Sequence, residues 1–169
     1  MNAEASQIFD REVADNCLKL FADYQLDIRV REPGDSIVAE RFLLCGIVGF
    51  TAKNLRGVLV LAATKEPLEL TNPTSTTHRD WVCELANQLL GRVKNRILLR
   101  GVELYASTPV ALRGEHLLPI LQQNPVAEVF TADRGVVCVW LDCDFDDAFA
   151  FPENPDVIPP IEEGAMVLF

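Results

Sequence analysis

The chain has 169 residues, of which 49% are hydrophobic and 24% are charged, so it is long enough for one globular domain with a sizeable core. Its formal net charge is −10. That charge argues against binding to a nucleic-acid phosphate backbone or to an anionic membrane surface, because both need clustered lysine and arginine. We therefore predict that neither nucleic acid nor a membrane is a partner.

The cysteines and histidines give no sign of a disulfide framework or of a metal centre. The five cysteines are scattered and include no C-x-x-C pair, which is typical of buried thiols in a reducing compartment. His78 and His116 lie far apart, and neither has metal-ligand spacing around it. Residues 1–16 lack the basic start and apolar run of a signal peptide, and no apolar run is long enough to span a membrane. We predict a cytoplasmic protein with no metal site of its own.

The N-terminal third predicts a helix followed by strands. Apolar residues recur at helical spacing over residues 6–24, beginning at Ser6, whose hydroxyl can cap a helix. Apolar and charged residues alternate over 26–31, which indicates a half-buried strand, and a turn is expected at 33–35. β-rich runs over 41–51 and 57–64 predict an antiparallel hairpin.

Between this hairpin and the next helix, residues 65–76 contain Pro67 and Pro73, so we expect a loop with at most one helical turn. The next helix is predicted over 77–98, and a strand is predicted over 102–112.

The rest of the chain predicts a short helical piece near 115–123 and two strands, over 127–132 and 135–143. The tally favours an α+β fold, in which an antiparallel sheet of about six strands has two long helices packed on one face. We place a single domain over residues 1–147 and a Pro-rich acidic tail over 148–169.

The predicted helix over residues 77–98 has two clearly different faces. Its apolar arc consists of Val82, Leu85, Ala86, Leu89, Val93 and Ile97. Its polar arc consists of Asp80, Glu84, Asn87, Gly91 and Lys94. A carboxylate and a carboxamide three residues apart, beside a glycine that would let a partner approach, make the polar arc our candidate site.

Ordinary structural roles compete with function on this helix. Thr77-x-x-Asp80 matches a capping box, except that Asp stands where Glu or Gln is usual, so Asp80 has a structural task available. Glu84 can accept a hydrogen bond from Gln88 one turn later, and an exposed charge on a polar face usually contributes little.

Three generic kinds of site are weaker interpretations of other stretches. No local context marks a Cys–His nucleophile pair, and buried structural cysteine is the better account. Residues 46–49 lack the P-loop lysine and the full G-x-G-x-x-G spacing. The aspartates over 142–147 lack the glycine and the terminal glutamate of a calcium loop.

The segment Glu84-Leu-Ala-Asn87 resembles the signature of the CheC/CheX/FliY family of chemotaxis phosphatases. In that family an Asp or Ser stands four residues before the Glu, and a Pro follows about two dozen residues after the Asn. Asp80 and Pro109 occupy those positions here, with Gly91 after the motif. The resemblance covers about residues 40–143. The motif occurs once, which is similar to the CheX type and implies a homodimer.

The resemblance implies an enzyme that removes the phosphoryl group from the aspartyl-phosphate of a CheY-like response regulator. Mg²⁺ and a lysine belong to the regulator, so the chain needs no cofactor of its own. Asn87 would orient the attacking water, and Glu84 would contact the regulator's lysine. The expected partner-binding residues are Asp80, Gln88, Gly91 and Lys94. Pro109 would have a structural role.

Two alternatives stay open. A non-catalytic adaptor could bind a receiver domain or a flagellar-switch partner through the same helix face, although an adaptor has no evident need for the amide of Asn87. A dimeric scaffold with a solvated polar helix is the plainer alternative. CheX-like proteins usually have a helix between the hairpin and the motif helix, so the loop expected over 65–76 is a departure from the family, as is the Pro-rich tail.

Overall fold

One antiparallel sheet with helices packed on it makes up the part of the chain that the structure describes. The structure is a computed structural model, and it describes residues 3–31, 42–73, 76–115, 121, 123, 127–153 and 155. The predicted turn at 33–35, most of the predicted helical piece over 115–123 and the tail beyond residue 155 lie outside the described residues. The elements are α1 (Ala3–Asp23), β1 (Arg29–Val30), β2 (Phe42–Ala52), β3 (Leu55–Ala63), α2 (Lys65–Thr71), α3 (His78–Leu98), β4 (Tyr105–Ala106), β5 (Val110–Glu115), β6 (Glu128–Thr131) and β7 (Val136–Phe145).

The strands pair in the order β1-β6-β7-β3-β2-β4, and β5 also pairs with β2. Every described pair is antiparallel. The predicted hairpin is formed by β2 and β3, whose register runs from Leu44↔Ala63 to Ala52↔Leu55. The connection is the two-residue loop Lys53-Asn54, which is shorter than the sequence suggested.

The two faces of the sheet are covered differently. The main core cluster joins apolar residues of α1 and α3 to alternate residues of the hairpin, such as Val48 and Leu61. The intervening residues, such as Cys45 and Val60, belong with Trp140 to a smaller cluster on the other face. The predicted α+β fold, with two long helices on one face of an antiparallel sheet, is therefore confirmed.

The end of α1 is fixed by its backbone. The Leu26 N–H donates to the Phe21 carbonyl at 3.0 Å, and the Gln25 N–H donates to the Ala22 carbonyl at 2.9 Å. Gln25 has φ +61°, so the residues form the left-handed termination of a Schellman motif. This termination determines where Tyr24, the last residue before the reversal, lies.

The prediction of a loop over residues 65–76 is wrong, because α2 occupies Lys65–Thr71. Pro67 lies in the first turn, where backbone N–H groups have no partner within the helix, so the proline costs no hydrogen bond. The Thr71 hydroxyl donates to the Pro67 carbonyl at 2.7 Å. A helix therefore connects the hairpin to α3. In this respect the chain does not differ from the arrangement expected of CheX-like proteins.

The single strand expected over residues 102–112 is instead two strands, β4 and β5, which both pair with β2. Between them, the Ser107 N–H donates to the Gly49 carbonyl at 2.8 Å, and the Gly49 N–H donates to the Ser107 hydroxyl at 3.0 Å. Pro109, which cannot donate to a ladder, lies in this break.

The first residues after β7 pack back on the domain. Phe149 is buried, and its ring centroid lies 4.9 Å from that of Phe145. The ring of Phe151 lies 6.4 Å from that of Phe9 on α1. The described part of this segment therefore contacts α1 and β7, while the domain boundary at residue 147 stays a prediction.

Candidate functional site

The candidate site is on α3, which is held close to the sheet by its buried arc. All six residues of the predicted apolar face are buried. A Cβ added at Gly46 of β2 would collide with the Val82 carbonyl oxygen and would lie 3.0 Å from the Ala86 Cβ. Glycine at this position therefore lets the backbone of α3 approach β2 closely, which fixes the helix relative to the sheet.

The opposite side of α3 carries a line of side chains that we call the polar ridge, defined as Asp80, Glu84, Asn87 and Gly91. At 100° per residue these positions lie within an arc of about 60°. Asp80, Glu84 and Asn87 are exposed, and Gly91 is partly buried. The structure therefore brings four of the predicted site residues together on one rigid element.

Asp80 closes the N-terminus of α3. Its backbone N–H donates to the Thr77 hydroxyl at 3.2 Å, and that hydroxyl donates to the Asp80 carboxylate at 2.6 Å. The Arg79 guanidinium lies 2.9 Å from the other carboxylate oxygen. These contacts, led by the Thr77 hydrogen bond, hold the pKa of Asp80 below its ordinary value of 3.8. The Thr77 cap is confirmed, whereas the Asp80 carboxylate accepts from the Thr77 hydroxyl and not, as in a capping box, from its backbone N–H; partner contact by Asp80 stays a prediction.

Glu84 belongs to a chain of hydrogen bonds. The Gln88 side-chain N–H donates to Glu84 Oε1 at 2.8 Å, which confirms the bond expected one turn along the helix. The Tyr24 hydroxyl at the end of α1 donates to Gln88 Oε1 at 2.9 Å. Gln88 therefore lies on the flank of α3 that faces α1, beside the ion pair between Arg92 and Asp23 at 2.7 Å.

Asn87 and Gly91 have open surroundings. No described residue forms a hydrogen bond with the Asn87 side chain, which is exposed. Beyond its own helix backbone and chain neighbours, a Cβ at Gly91 would meet no described atom within 4 Å. Lys94 is partly buried at the side of the ridge. The Asn87 carboxamide and the space beside Gly91 thus lie next to each other on the surface of α3.

The fold of the described chain is similar to that of solved CheX and CheC-like proteins. A CheC-like superfamily protein from Shewanella sp. PV-4 superposes with a TM-score of 0.69 at 17% identity, covering 81% of this chain and 97% of that one. The chemotaxis protein CheX from Vibrio vulnificus gives 0.67 at 16% identity, covering 80% and 96%. The CheX–CheY–BeF3–Mg2+ complex from Borrelia burgdorferi gives 0.61 at 17% identity, covering 80% and 97%.

The chain has the CheX fold. This confirms the fold that the sequence motif implied. No family model matches the sequence, and no curated protein matches it. We therefore infer the roles of individual side chains from the geometry of α3 and its neighbours.

The polar ridge of this CheX fold is convex. Cavities of about 470, 400 and 410 Å³ lie elsewhere: beside β4 on the sheet face away from the helices, between α1 and β7, and at the N-terminus of α3. None of them is lined by Glu84 or Asn87. A convex ridge fits into the cleft of another macromolecule, whereas small molecules bind in concave sites.

The described residues offer neither an activated cysteine among the thiols discussed below nor a cluster of metal ligands. Burial raises the pKa of Cys45 to about 11 and also raises the pKa values of Cys17 and Cys143. Cys83, next to Glu84, has a raised pKa because of burial and then the charge of Asp80. These four thiols are protonated near neutral pH and are poor nucleophiles. No described cluster of three or more His, Cys, Asp or Glu residues could hold a metal ion.

Tyr24 is the residue at this site that sequence reasoning missed. It precedes Gln88 by 64 positions, and only the packing of α1 against α3 brings the two together. Pro109, by contrast, lies off the helix in the break between β4 and β5, and its structural role stays a prediction. None of the helices in the described ranges combines the length and apolarity that a membrane crossing needs.

Proposed function

We propose that this protein is a phosphatase that hydrolyses the aspartyl-phosphate of a CheY-like response-regulator receiver domain. The observation that carries the proposal is the Asn87 carboxamide, which is exposed on a rigid helix next to a glycine that leaves room for another surface. The CheX fold supports it, since a CheX with this fold has been captured in a complex with CheY, beryllofluoride and Mg²⁺.

The reaction needs little covalent chemistry from the phosphatase. Water attacks phosphorus in line with the bond to the aspartate oxygen, that bond breaks, and the aspartate leaves as a carboxylate. The protons of the water finish on inorganic phosphate and in solvent. Catalysis in such a displacement consists mainly of positioning and of stabilising charge. Asn87 can accept a hydrogen bond from the water through its oxygen and donate one to a phosphoryl oxygen through its nitrogen.

Glu84 has a different task in the proposal. Its carboxylate would pair with the receiver's lysine, and a charge-assisted hydrogen bond of this kind fixes the helix in the receiver's cleft. Gly91 would allow the rim of that cleft to approach the helix. Lys94 at the side of the ridge and Asp80 at its N-terminal end would also contact the receiver.

Mg²⁺, when bound by the receiver, supplies charge neutralisation on the phosphoryl group. The described carboxylates of this chain include no cluster that could replace it. We propose that the partner holds the metal and that α3 orients the water and excludes solvent. Action on a receiver also implies a cytoplasmic location. The homodimer implied by the sequence resemblance is a further part of the proposal, and a mass measurement in solution tests it.

The decisive experiment follows phosphate loss from phosphorylated receivers of the same cell. We expect the protein to accelerate the loss and Asn87→Ala to return the rate to that of the receiver alone. Glu84→Ala should raise KM for the receiver and lower kcat less. Gln7→Ala removes an exposed carboxamide from α1 instead and should leave the rate unchanged.

Two outcomes would count against the phosphatase. If the wild-type protein accelerates no receiver, the enzyme proposal fails. Tight receiver binding without acceleration would support the adaptor, in which the same ridge docks but does no chemistry.

A further inference from the structure

Glu84 is exposed, and its carboxylate is engaged within the chain by a hydrogen bond. It accepts a hydrogen bond from Gln88, which in turn accepts one from Tyr24 in the turn that follows α1. We infer that Tyr24 and Gln88 are positioning residues that hold the Glu84 carboxylate ready for the receiver's lysine. This inference rests on the proposed function and changes the expected role of Gln88 from partner contact to support.

The orientation of the Gln88 amide follows from its two partners. A tyrosine hydroxyl can donate to the carbonyl oxygen, and a carboxylate can only accept from the amide nitrogen. Both bonds, of 2.9 and 2.8 Å, are therefore satisfied by one orientation of the amide and by no other. The bond from Gln88 engages Oε1 of Glu84, so Oε2 stays available for a second donor.

Tyr24 is itself anchored at two points, and its aromatic partner is anchored in turn. The backbone termination of α1 fixes its Cα position. Its ring packs edge-on against Trp81, with ring centroids 5.2 Å apart and an interplanar angle of 88°. The Trp81 indole N–H donates to the Thr71 hydroxyl at 2.9 Å, which connects the aromatic pair to α2. The chain of contacts thus runs from α2 through Trp81 and Tyr24 to Gln88 and Glu84.

Such support matters because a glutamate on an exposed helix face normally has several rotamers to lose on binding. Holding the side chain in advance removes part of that cost from the binding step. The consequence is specific: loss of the Tyr24 hydroxyl should weaken receiver binding, and it should do so only when Glu84 is present.

A double-mutant cycle tests this dependence. Tyr24→Phe removes the hydroxyl and keeps the ring on Trp81, so we expect the fold to persist and KM for the phosphorylated receiver to rise about threefold to tenfold. In the Glu84→Ala background the same substitution should have no further effect on KM. Gln88→Glu still accepts from Tyr24 but repels Glu84, and it should raise KM at least as much.

Tyr105→Phe is the matched control, because its hydroxyl also donates to a carboxylate, that of Glu103 at 2.7 Å, on an exposed strand away from α3. It should leave KM unchanged. An unchanged KM in Tyr24→Phe, or an equal rise with and without Glu84, would overturn the positioning role while the phosphatase proposal stands.

A measurement on the protein without any receiver separates the two proposals. In NMR spectra, the side-chain amide protons of Gln88 should exchange with water more slowly than those of the exposed Gln7, and Tyr24→Phe should remove the difference. Equal exchange in the wild-type protein would overturn the inference directly. A protected Gln88 amide in a protein that accelerates no receiver would overturn the proposed function and, with it, the positioning role.

Discussion

Two glycines, Gly46 on the strand beneath α3 and Gly91 on the exposed side of α3, show which face of this helix serves the fold and which face is left for a partner. A Cβ at Gly46 would meet the backbone of α3 at once, whereas a Cβ at Gly91 would meet no described atom within 4 Å. Glycine in a helix interior costs about 1 kcal/mol relative to alanine. At position 46 close packing explains the residue, and at position 91 nothing within the described chain does.

The difference between the two glycines indicates which residues of α3 are candidates for function. The buried arc of α3 is explained by burial, and Asp80 is explained by capping. Glu84 accepts a hydrogen bond from Gln88, which leaves Asn87 and Gly91 as the two ridge positions that no described side chain engages. A residue that costs stability without an internal contact is a candidate for an external one.

The largest effect is expected from Gly46→Ala. Its Cβ would overlap the carbonyl of Val82, which is backbone and cannot rotate away, so we expect unfolding to become easier by about 1–3 kcal/mol. Denaturant titration measures the change. Gly49→Ala is the comparison on the same strand: its Cβ would lie 3.3 Å from the Ser107 side-chain oxygen and meet no backbone atom closer than 3.8 Å, so it should cost less, at most the hydrogen bond from the Gly49 N–H to Ser107. Equal costs at the two positions would contradict the close-approach argument.

Gly91→Ala is expected to act in the opposite direction on stability. Because there is room for a Cβ, the better helix propensity of alanine should raise the free energy of unfolding by about 1 kcal/mol. If Gly91 makes room for the receiver, the same variant should have a higher KM, and Gly91→Leu a higher one still. A series that gains stability and keeps full receiver activity would remove Gly91 from the docking surface.

The smallest expected effect is the dependence of stability on pH that Asp80 contributes. Because the hydrogen bond from Thr77 and the Arg79 charge lower the pKa of Asp80, this carboxylate stabilises the fold above its ordinary pKa of 3.8. That contribution is lost as the pH falls through the lowered value. The stability difference between the wild-type protein and Asp80→Asn should therefore shrink as the pH falls from above 3.8 through the lowered pKa.

Thr77→Ala provides the control for this pH dependence. It should lower the stability at neutral pH by about 1 kcal/mol through loss of the cap. In that background the acid-dependent part of the Asp80→Asn effect should decrease. An unchanged pH dependence would mean that Thr77 is not the main cause of the lowered pKa.

Several elements were predictable because their signals are local. The period of 3.6 placed all six apolar residues of α3 on the buried side, and the spacing of Thr77 and Asp80 identified the cap. Other elements were not. Pro67 argued against a helix although it is tolerated in the first turn, and the break between β4 and β5 depends on two hydrogen bonds that Ser107 exchanges with Gly49 of a distant strand.

The sequence by itself determined the α+β class, the two faces of α3 and the single acid–amide motif, because helical and strand periods and motif spacings are properties of neighbouring residues. Only the tertiary structure decided which of the polar residues are already engaged. The Asp80 backbone N–H and carboxylate both bond to the Thr77 hydroxyl at the start of α3, and Gln88 accepts a hydrogen bond from a tyrosine just after α1, 64 residues away. Contacts of that kind arise from the packing of α1 against α3, which no local pattern encodes.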